Sequence, residues 1–303
     1  ALSWRLPSGW PSAGPDGVAS RSRLQVQWSP EQWAPRPRVG LLASSQLAGT
    51  WPMAIDNWLL DNALATRAAA SDAELAAGSL PAALAGMLRF YQWPRPTLSL
   101  GFHQQRLPAH WLELAAAGVL DLVRRPSGGR AVLHGGDLTY ALIWPSPPPQ
   151  RAEAYRRSCR WLQRGFAAID LPLGFGEAAF NRDRDSCFAT STAADLVHAD
   201  GSKRIGSAQL WRRGALLQHG SILIQPQRAL WRELFGVDPP VLPDLPVTTA
   251  ELITLLVAQA QRHLPQAETD QGVELVTLEQ AALPWDAIAA QRSAYQVVGA
   301  SAP

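Results

Sequence analysis

The run Arg124-Arg125-Pro126-Ser127-Gly128-Gly129-Arg130-Ala131-Val132-Leu133-His134 places arginines on both sides of a Ser-Gly-Gly turn. Glycine leaves backbone N–H groups uncovered and tolerates positive φ, so the chain can approach a ligand closely there. Guanidinium groups beside such a loop suit a carboxylate or a phosphate. The plain alternative is a tight hairpin with solvated arginines. A second candidate is Lys203, the sole lysine among 27 basic residues. Its compact ammonium has three rotatable donors and a shiftable pKa, which guanidinium does not reproduce, and this points to a functional lysine. The third is Cys187, in a polar stretch (residues 181–188) that also holds Arg182 and Arg184. A neighbouring cation stabilises a thiolate and so favours a nucleophilic cysteine. His134 and His219 sit beside glycines and suit acid, base or donor roles, although a strand histidine is more often structural. No His, Cys or acidic pair falls at metal-ligand spacing on one face, so no metal site is expected.

These residues need elements to hold them. Apolar spacing predicts a helix over Ile55–Ala70, with Asp56 in its first turn favouring the helix dipole. Residues 71–83 read as a polar link. Strands are expected at Leu88–Trp93 and Thr97–Gly101, and a short helix at Pro108–Ala117 closed by Gly118. The glycine-rich run then joins two strands as a hairpin, Val119–Val123 to Asp137–Trp144, and prolines at 145–149 end the second. Arg151–Ile169 reads as an amphipathic helix whose apolar stripe carries Tyr155, Cys159, Leu162 and Phe166. On that stripe Cys159 is a buried small hydrophobe.

Asp195–Ala199, Lys203–Trp211 and Ala215–Ile224 read as an antiparallel meander around an Asp-Gly turn. A side-chain period of two puts Lys203, Ile205, Ser207 and Gln209 on one face, beside the small residues Gly206-Ser207-Ala208. Thr248 to Glu251 forms a capping box opening a helix to His263, and a second helix is expected from Thr277 to Tyr295, interrupted near Pro284.

With 303 residues, 47% hydrophobic and 17% charged, the chain suffices for one large domain or one plus an appendage. A net charge of +2 is too small to imply nucleic acid or an anionic membrane. No apolar run approaches the roughly 18 residues of a membrane span. Two cysteines make no disulfide framework, which fits a reducing, cytoplasmic setting. Residues 1–50 contain only Asp16 and Glu31 as acids and no sustained period, so residues 1–52 read as a loosely structured extension. That start could be a targeting segment, but it lacks the apolar core of a secretory signal. Met53 offers an alternative translation start.

The arginine and glycine run, followed by Leu138-Thr139-Tyr140, resembles the signature of the biotin/lipoate protein ligase and transferase superfamily. Gly201 to Gln209 and Leu217 to Ile222 resemble its lysine motif and the strand after it. Leu88–Trp93 and Pro96–Gly101 resemble its opening strands. The resemblance covers about residues 55–225. It implies an α/β (α+β) fold, a mostly antiparallel sheet with packed helices. Residues 53–245 would be the catalytic domain and 246–303 a C-terminal helical segment.

It also implies the site. Cys187 and Lys203 would be catalytic. Arg124, Ser127, Gly128, Gly129, Arg130, His134, Gly206, Ser207, Ala208 and His219 would bind substrate. Two activities compete within the superfamily. An octanoyltransferase takes octanoyl from acyl carrier protein onto a cysteine and passes it to a lipoyl-domain lysine, with no cofactor. A lipoate–protein ligase uses ATP and Mg to make lipoyl-adenylate. Acceptors would be the glycine-cleavage H protein or a 2-oxoacid dehydrogenase E2, with neither nucleic acid nor membrane involved. Ser186-Cys187-Phe188 ahead of the lysine motif, Gly128-Gly129-Arg130, and the short tail all resemble the transferase. A binding module that keeps the pocket without turnover is the non-enzymatic alternative.

Overall fold

Strand pairing begins further upstream than the apolar pattern suggests. The computed structural model describes residues 36–68, 84–176, 195–267 and 271–297. The expected link at 71–83 and the stretch with Cys187 lie outside the described residues. Strand β1 (Arg38–Gln46) falls inside the span read as a loose extension, and the sheet takes it in beside β2 (Leu84–Gln92) in parallel register. Val39 and Leu42 from β1 are buried in the core, which explains the placement. Between β1 and β2 comes α1 (Trp51–Ala68), which starts four residues earlier than the apolar spacing indicates.

Among the described residues the large sheet has eight strands in the order β11-β1-β2-β6-β10-β9-β8-β7. Its remaining members are β6 (Asp137–Trp144), β7 (Gly174–Phe175), β8 (Leu196–Val197), β9 (Lys203–Arg212), β10 (Ala215–Leu223) and β11 (Glu274–Leu278). From β2 to β7 every neighbour is antiparallel, and the expected meander stands as β8, β9 and β10.

The glycine-rich run does not close a hairpin. Its flanking strands, β4 (Asp121–Arg124) and β5 (Val132–His134), belong to a separate three-stranded sheet, with β3 (Thr97–Leu100) between them. β4 is parallel to β3, so residues 125–131 must cross the end of β3 instead of turning tightly. Gly135 and Gly136, at φ 110° and 142°, then carry the chain from the small sheet to the large one. Helix α2 (Ala109–Ala116), closed by Gly118 at φ 71°, packs Trp111 with Trp231 and Leu234 of α4 (Arg228–Phe235) against the small sheet.

On one face of the large sheet lie α3 (Arg151–Ala167) and α5 (Thr249–His263). The stripe read from the sequence is buried there, with Cys159, Leu162 and Phe166 fully covered. Leu252, Leu256 and Ala260 of α5 join Tyr140, Phe166 and Ile205 in one core, so the boundary at residue 246 does not divide packing units. A fully buried leucine contributes about 1.5–3 kcal/mol. The tail is also not wholly helical. Residues 274–278 pair with β1, and among the described residues α6 (Trp285–Ala289) and two short 3-10 turns follow. Val276 and Thr277 are β-branched and favour the strand, while Pro284 caps α6. The capping box at Thr248 and Glu251 forms as expected. Helix α1 covers the opposite face, with Met53, Leu59 and Leu60 packed in a core with Tyr91, Ile143 and Leu217.

Candidate active site

Arg89 stands alone as a charge within the apolar strand β2, and burial obliges it to find a counter-charge. Asp56 supplies it at 2.6 Å, with both side chains almost fully covered. Asp56 therefore does not serve the helix dipole; it faces the sheet from the second turn of α1. Its other carboxylate oxygen accepts from Tyr91 at 3.1 Å and lies 3.2 Å from His219 Nδ1. Burial first, then the Asp56 charge, pushes the Tyr91 hydroxyl far above its usual range, so it donates and stays neutral. His219 Nε2 meets Ser127 Oγ at 2.5 Å. One chain of contacts thus runs from Arg89 through Asp56 and His219 to the Ser-Gly-Gly loop.

A second chain runs parallel to it. His134 Nδ1 lies 2.8 Å from Asp137, and its Nε2 lies 2.9 Å from Ser99 Oγ. Asp137 also accepts from Ser221, Thr139 and the Gly135 N–H. His134 stacks on Trp93 with ring centroids 4.6 Å apart. Both chains border a cavity of about 60 Å³ where α1, the small sheet and the middle of the large sheet meet. Met53 and Val132 give it apolar wall, and Gly129, Gly206 and Ala208 bring backbone to its edge.

The arginines of the loop act on backbone. Arg125, expected with its neighbours to face an anion, instead donates to the carbonyls of Ser99, Gly128 and Arg130 and so holds the loop against β3. Arg124 donates to Gly101 and Gln104 carbonyls and braces the next turn. A Cβ on Gly101 would sit 1.8 Å from the Gly129 carbonyl oxygen, so only glycine lets the loop lie this close.

Lys203 is buried and pairs with Asp195 at 2.9 Å. The Gly176 N–H donates to the Asp195 carbonyl at 2.9 Å. The chain therefore leaves and re-enters the described residues at one place, beside Lys203. Along the face Lys203 shares, Ser207 meets Tyr140 at 2.8 Å, and Gln218 donates to Tyr140 and to Cys159 Sγ. These bonds fix β9 on β6 and β10.

Of the residues singled out from sequence, Gly129, His134, Gly206, Ser207, Ala208 and His219 border one cavity, and Ser127 bonds directly to that wall. Arg124 and Lys203 stand outside the lining, the Gly128 and Arg130 carbonyls hold Arg125, and Cys187 lies outside the described residues. Asp56, Arg89, Tyr91, Ser99 and Asp137 were missed as site residues. A lone arginine within a β-strand was the one available signal.

Asp137 carries a consequence for acid stability. Burial alone would raise its pKa, but His134, Ser221 and the Gly135 N–H outweigh burial and hold it below the usual carboxylate value. A carboxyl depressed in the folded state adds stability above its unfolded pKa of about 3.9, and that stability is lost as pH falls further. Urea midpoints should therefore fall below about pH 4, and Asp137→Asn should flatten that slope. An unchanged slope in the variant would show that Asp137 is not the group responsible.

No helix among the described residues is long and apolar enough to cross a membrane. Comparison with known proteins bears on residues 50–240, which match the lipoyl protein ligase A/B catalytic domain. The octanoyltransferase LipM of Macrococcus caseolyticus is 38% identical over 153 residues, covering 46% of this chain and 55% of that protein. The enzyme of the same name from Geobacillus kaustophilus is 38% identical over 160 residues, covering 49% and 57%. The chain thus spans little more than half the length of the curated relatives it matches. Among solved structures, lipoate-protein ligase A bound with ATP superposes with a TM-score of 0.58 at 15% identity, covering 85% of this chain and 94% of that one. The bi-partite lipoate protein ligase of Thermoplasma acidophilum superposes with a TM-score of 0.56 at 16% identity, covering 86% and 92%. At such identities the likeness concerns the fold, and it agrees with the two-sheet architecture described above. With the matched span covering well over half of its length, the chain belongs to the lipoyl protein ligase A/B catalytic domain family.

Proposed function

We propose that the chain moves an octanoyl group from octanoyl-acyl carrier protein, through a thioester on Cys187, to the lysine of a lipoyl domain. The observation that carries this reading is where Lys203 stands. It pairs with Asp195, the first described residue after the segment that holds Cys187, and it shares a strand face with Ser207 at the cavity edge. The names of the curated relatives support the same reading.

In this mechanism the Cys187 thiolate attacks the carrier thioester, and the Lys203 ammonium stabilises that thiolate and then the carbonyl oxygen. Backbone N–H groups at Gly128, Gly129 and Ser207–Ala208 would share the developing charge, at about 3 kcal/mol per donor. The acyl tail would enter between Met53 and Val132, each buried CH₂ contributing about 0.8 kcal/mol. Arg124 and Ser127 hold the loop, while Arg130, His134 and His219 border or support the acyl group. No nucleotide takes part. Acceptors would be lipoyl domains such as the glycine-cleavage H protein or a 2-oxoacid dehydrogenase E2, in the cytoplasm.

The fold likeness to a ligase bound with ATP favours one competing reading, an ATP-dependent lipoate–protein ligase. Incubation with lipoate, ATP, Mg and a lipoyl domain separates the two. The transferase should release no pyrophosphate and attach no lipoate. Pyrophosphate release that survives Cys187→Ser would establish the ligase instead.

A further inference from the structure

The outward side of α3 carries charge that the fold leaves unanswered. Arg156, Arg160 and Arg164 recur at every fourth residue and are exposed, so they form one ridge along the helix. Like charges at that spacing cost a helix about 0.2–0.5 kcal/mol per pair. Glu153 pairs with Arg156 at 3.0 Å. Among the described residues Arg160 and Arg164 stand in no ion pair.

The neighbouring helix extends the ridge. Arg262, in the last turn of α5, is exposed, and His263 lies half-buried beside it. Burial, then the charges of Arg164, Arg160 and Arg262, hold the His263 imidazole below its usual pKa and favour its neutral form. Three guanidiniums thus converge on one ring from two helices. Arg157 lies behind them, donating to the Pro265 carbonyl at 2.7 Å and resting over Trp144. Six arginines and one glutamate line the two adjoining hollows on this side, a local excess larger than the +2 of the whole chain.

The ridge reaches the edge of the sheet near Lys203. Gln163 donates to the Leu173 carbonyl at 3.0 Å, so α3 abuts the start of β7. Phe175 of β7 shares a hollow with Arg160 and Arg164. Gly174 pairs with Val197, and Val197 with Lys203. Two strand spacings of about 5 Å each therefore separate β7 from the lysine strand.

We propose that this arginine ridge is the docking surface for an acidic face of the acyl carrier protein that donates the octanoyl group. This rests on the octanoyltransferase reading. Reach selects the donor over the acceptor. An acceptor lysine is a short side chain, so a lipoyl domain must sit at the mouth of the site itself. A carrier presents its thioester on a prosthetic arm several times longer, so it can bind one helix away and still deliver the acyl group beside Lys203. Opposed charge suits a substrate that must dock and then leave, because it speeds encounter more than it tightens the complex. Single-stranded nucleic acid, the other polyanion, takes aromatic platforms for its bases, and among the described residues no exposed aromatic lines either hollow.

The test uses the full chain and reads binding and turnover separately. Arg160→Glu combined with Arg164→Glu reverses two exposed charges. Titration with unacylated acyl carrier protein at low salt should show binding by wild type that weakens as salt rises, and binding at least about 10-fold weaker by the variant. With octanoyl-acyl carrier protein the variant's KM should rise by a similar factor at nearly constant kcat. Turnover of octanoyl-N-acetylcysteamine, a thioester with no protein attached, should match wild type, as should the KM for the lipoyl domain. Equal carrier binding by both proteins would overturn the proposal. So would a KM change confined to the lipoyl domain, an equal loss with the small thioester, or tighter binding of wild type to a single-stranded oligonucleotide than to the carrier. Carrier binding that the variant loses, with no thioester formed on wild type, would uphold the surface and overturn the octanoyltransferase reading alone.

Discussion

Cys187→Ala should lower octanoyl transfer by at least about 10⁴-fold, the scale of losing a covalent nucleophile. The expectation is sharp because the chain has only one other cysteine. Cys159 is fully buried, and burial pushes its thiol up to about 12 despite the hydrogen bond from Gln218. At neutral pH it carries almost no thiolate and cannot take over. Alkylation of the native protein checks both halves of the statement. Wild type should show one fast-reacting thiol, Cys187→Ala none, and Cys159 should react only after denaturation. Transfer that survives in Cys187→Ala would remove the thioester from the mechanism.

Lys203→Met should cost both stability and activity, and the two losses can be separated. The Lys203 and Asp195 side chains are 3% and 4% exposed, so the variant leaves a buried carboxylate without its ammonium partner. That costs about 3–5 kcal/mol. A fall in Tm on the order of 10 °C should follow. Adding Asp195→Asn removes the stranded charge and should recover most of the stability, because a buried pair removed as a whole is often nearly neutral. Octanoyl transfer should not return. A double variant that is both stable and active would show that the lysine serves folding alone.

What the sequence disclosed and what it withheld divide along a physical line. Helices α1 and α3 were readable because each repeats apolar residues at the helical period, α5 from its capping box, and the β8–β10 meander from its Asp-Gly turn. β1 was not, since its apolar residues, Val39, Leu41 and Leu42, follow no sustained alternation. The 274–278 strand was misread because five residues are too few to show a period against the helical pattern read across the tail. The two halves of the supposed hairpin are strands β4 and β6, but β4 pairs with β3 in the small sheet and β6 with β2 and β10 in the large one, non-local pairings that no local pattern encodes.

The site behaves similarly. Glycines and the lone lysine announce themselves by residue type. The Asp56–His219–Ser127 and Asp137–His134–Ser99 chains join residues as far apart as 163 positions, so only the fold brings their members together. Asp56 illustrates the error that results. Read locally it favours a helix dipole, whereas in the fold it neutralises Arg89 from beneath the helix.

The measurement that bears most directly on the whole account is the intact mass of the protein after incubation with octanoyl-acyl carrier protein and no nucleotide. One added octanoyl group is expected, located on Cys187 and removed by a lipoyl domain. An unmodified mass, or an acyl group elsewhere in the chain, would contradict it.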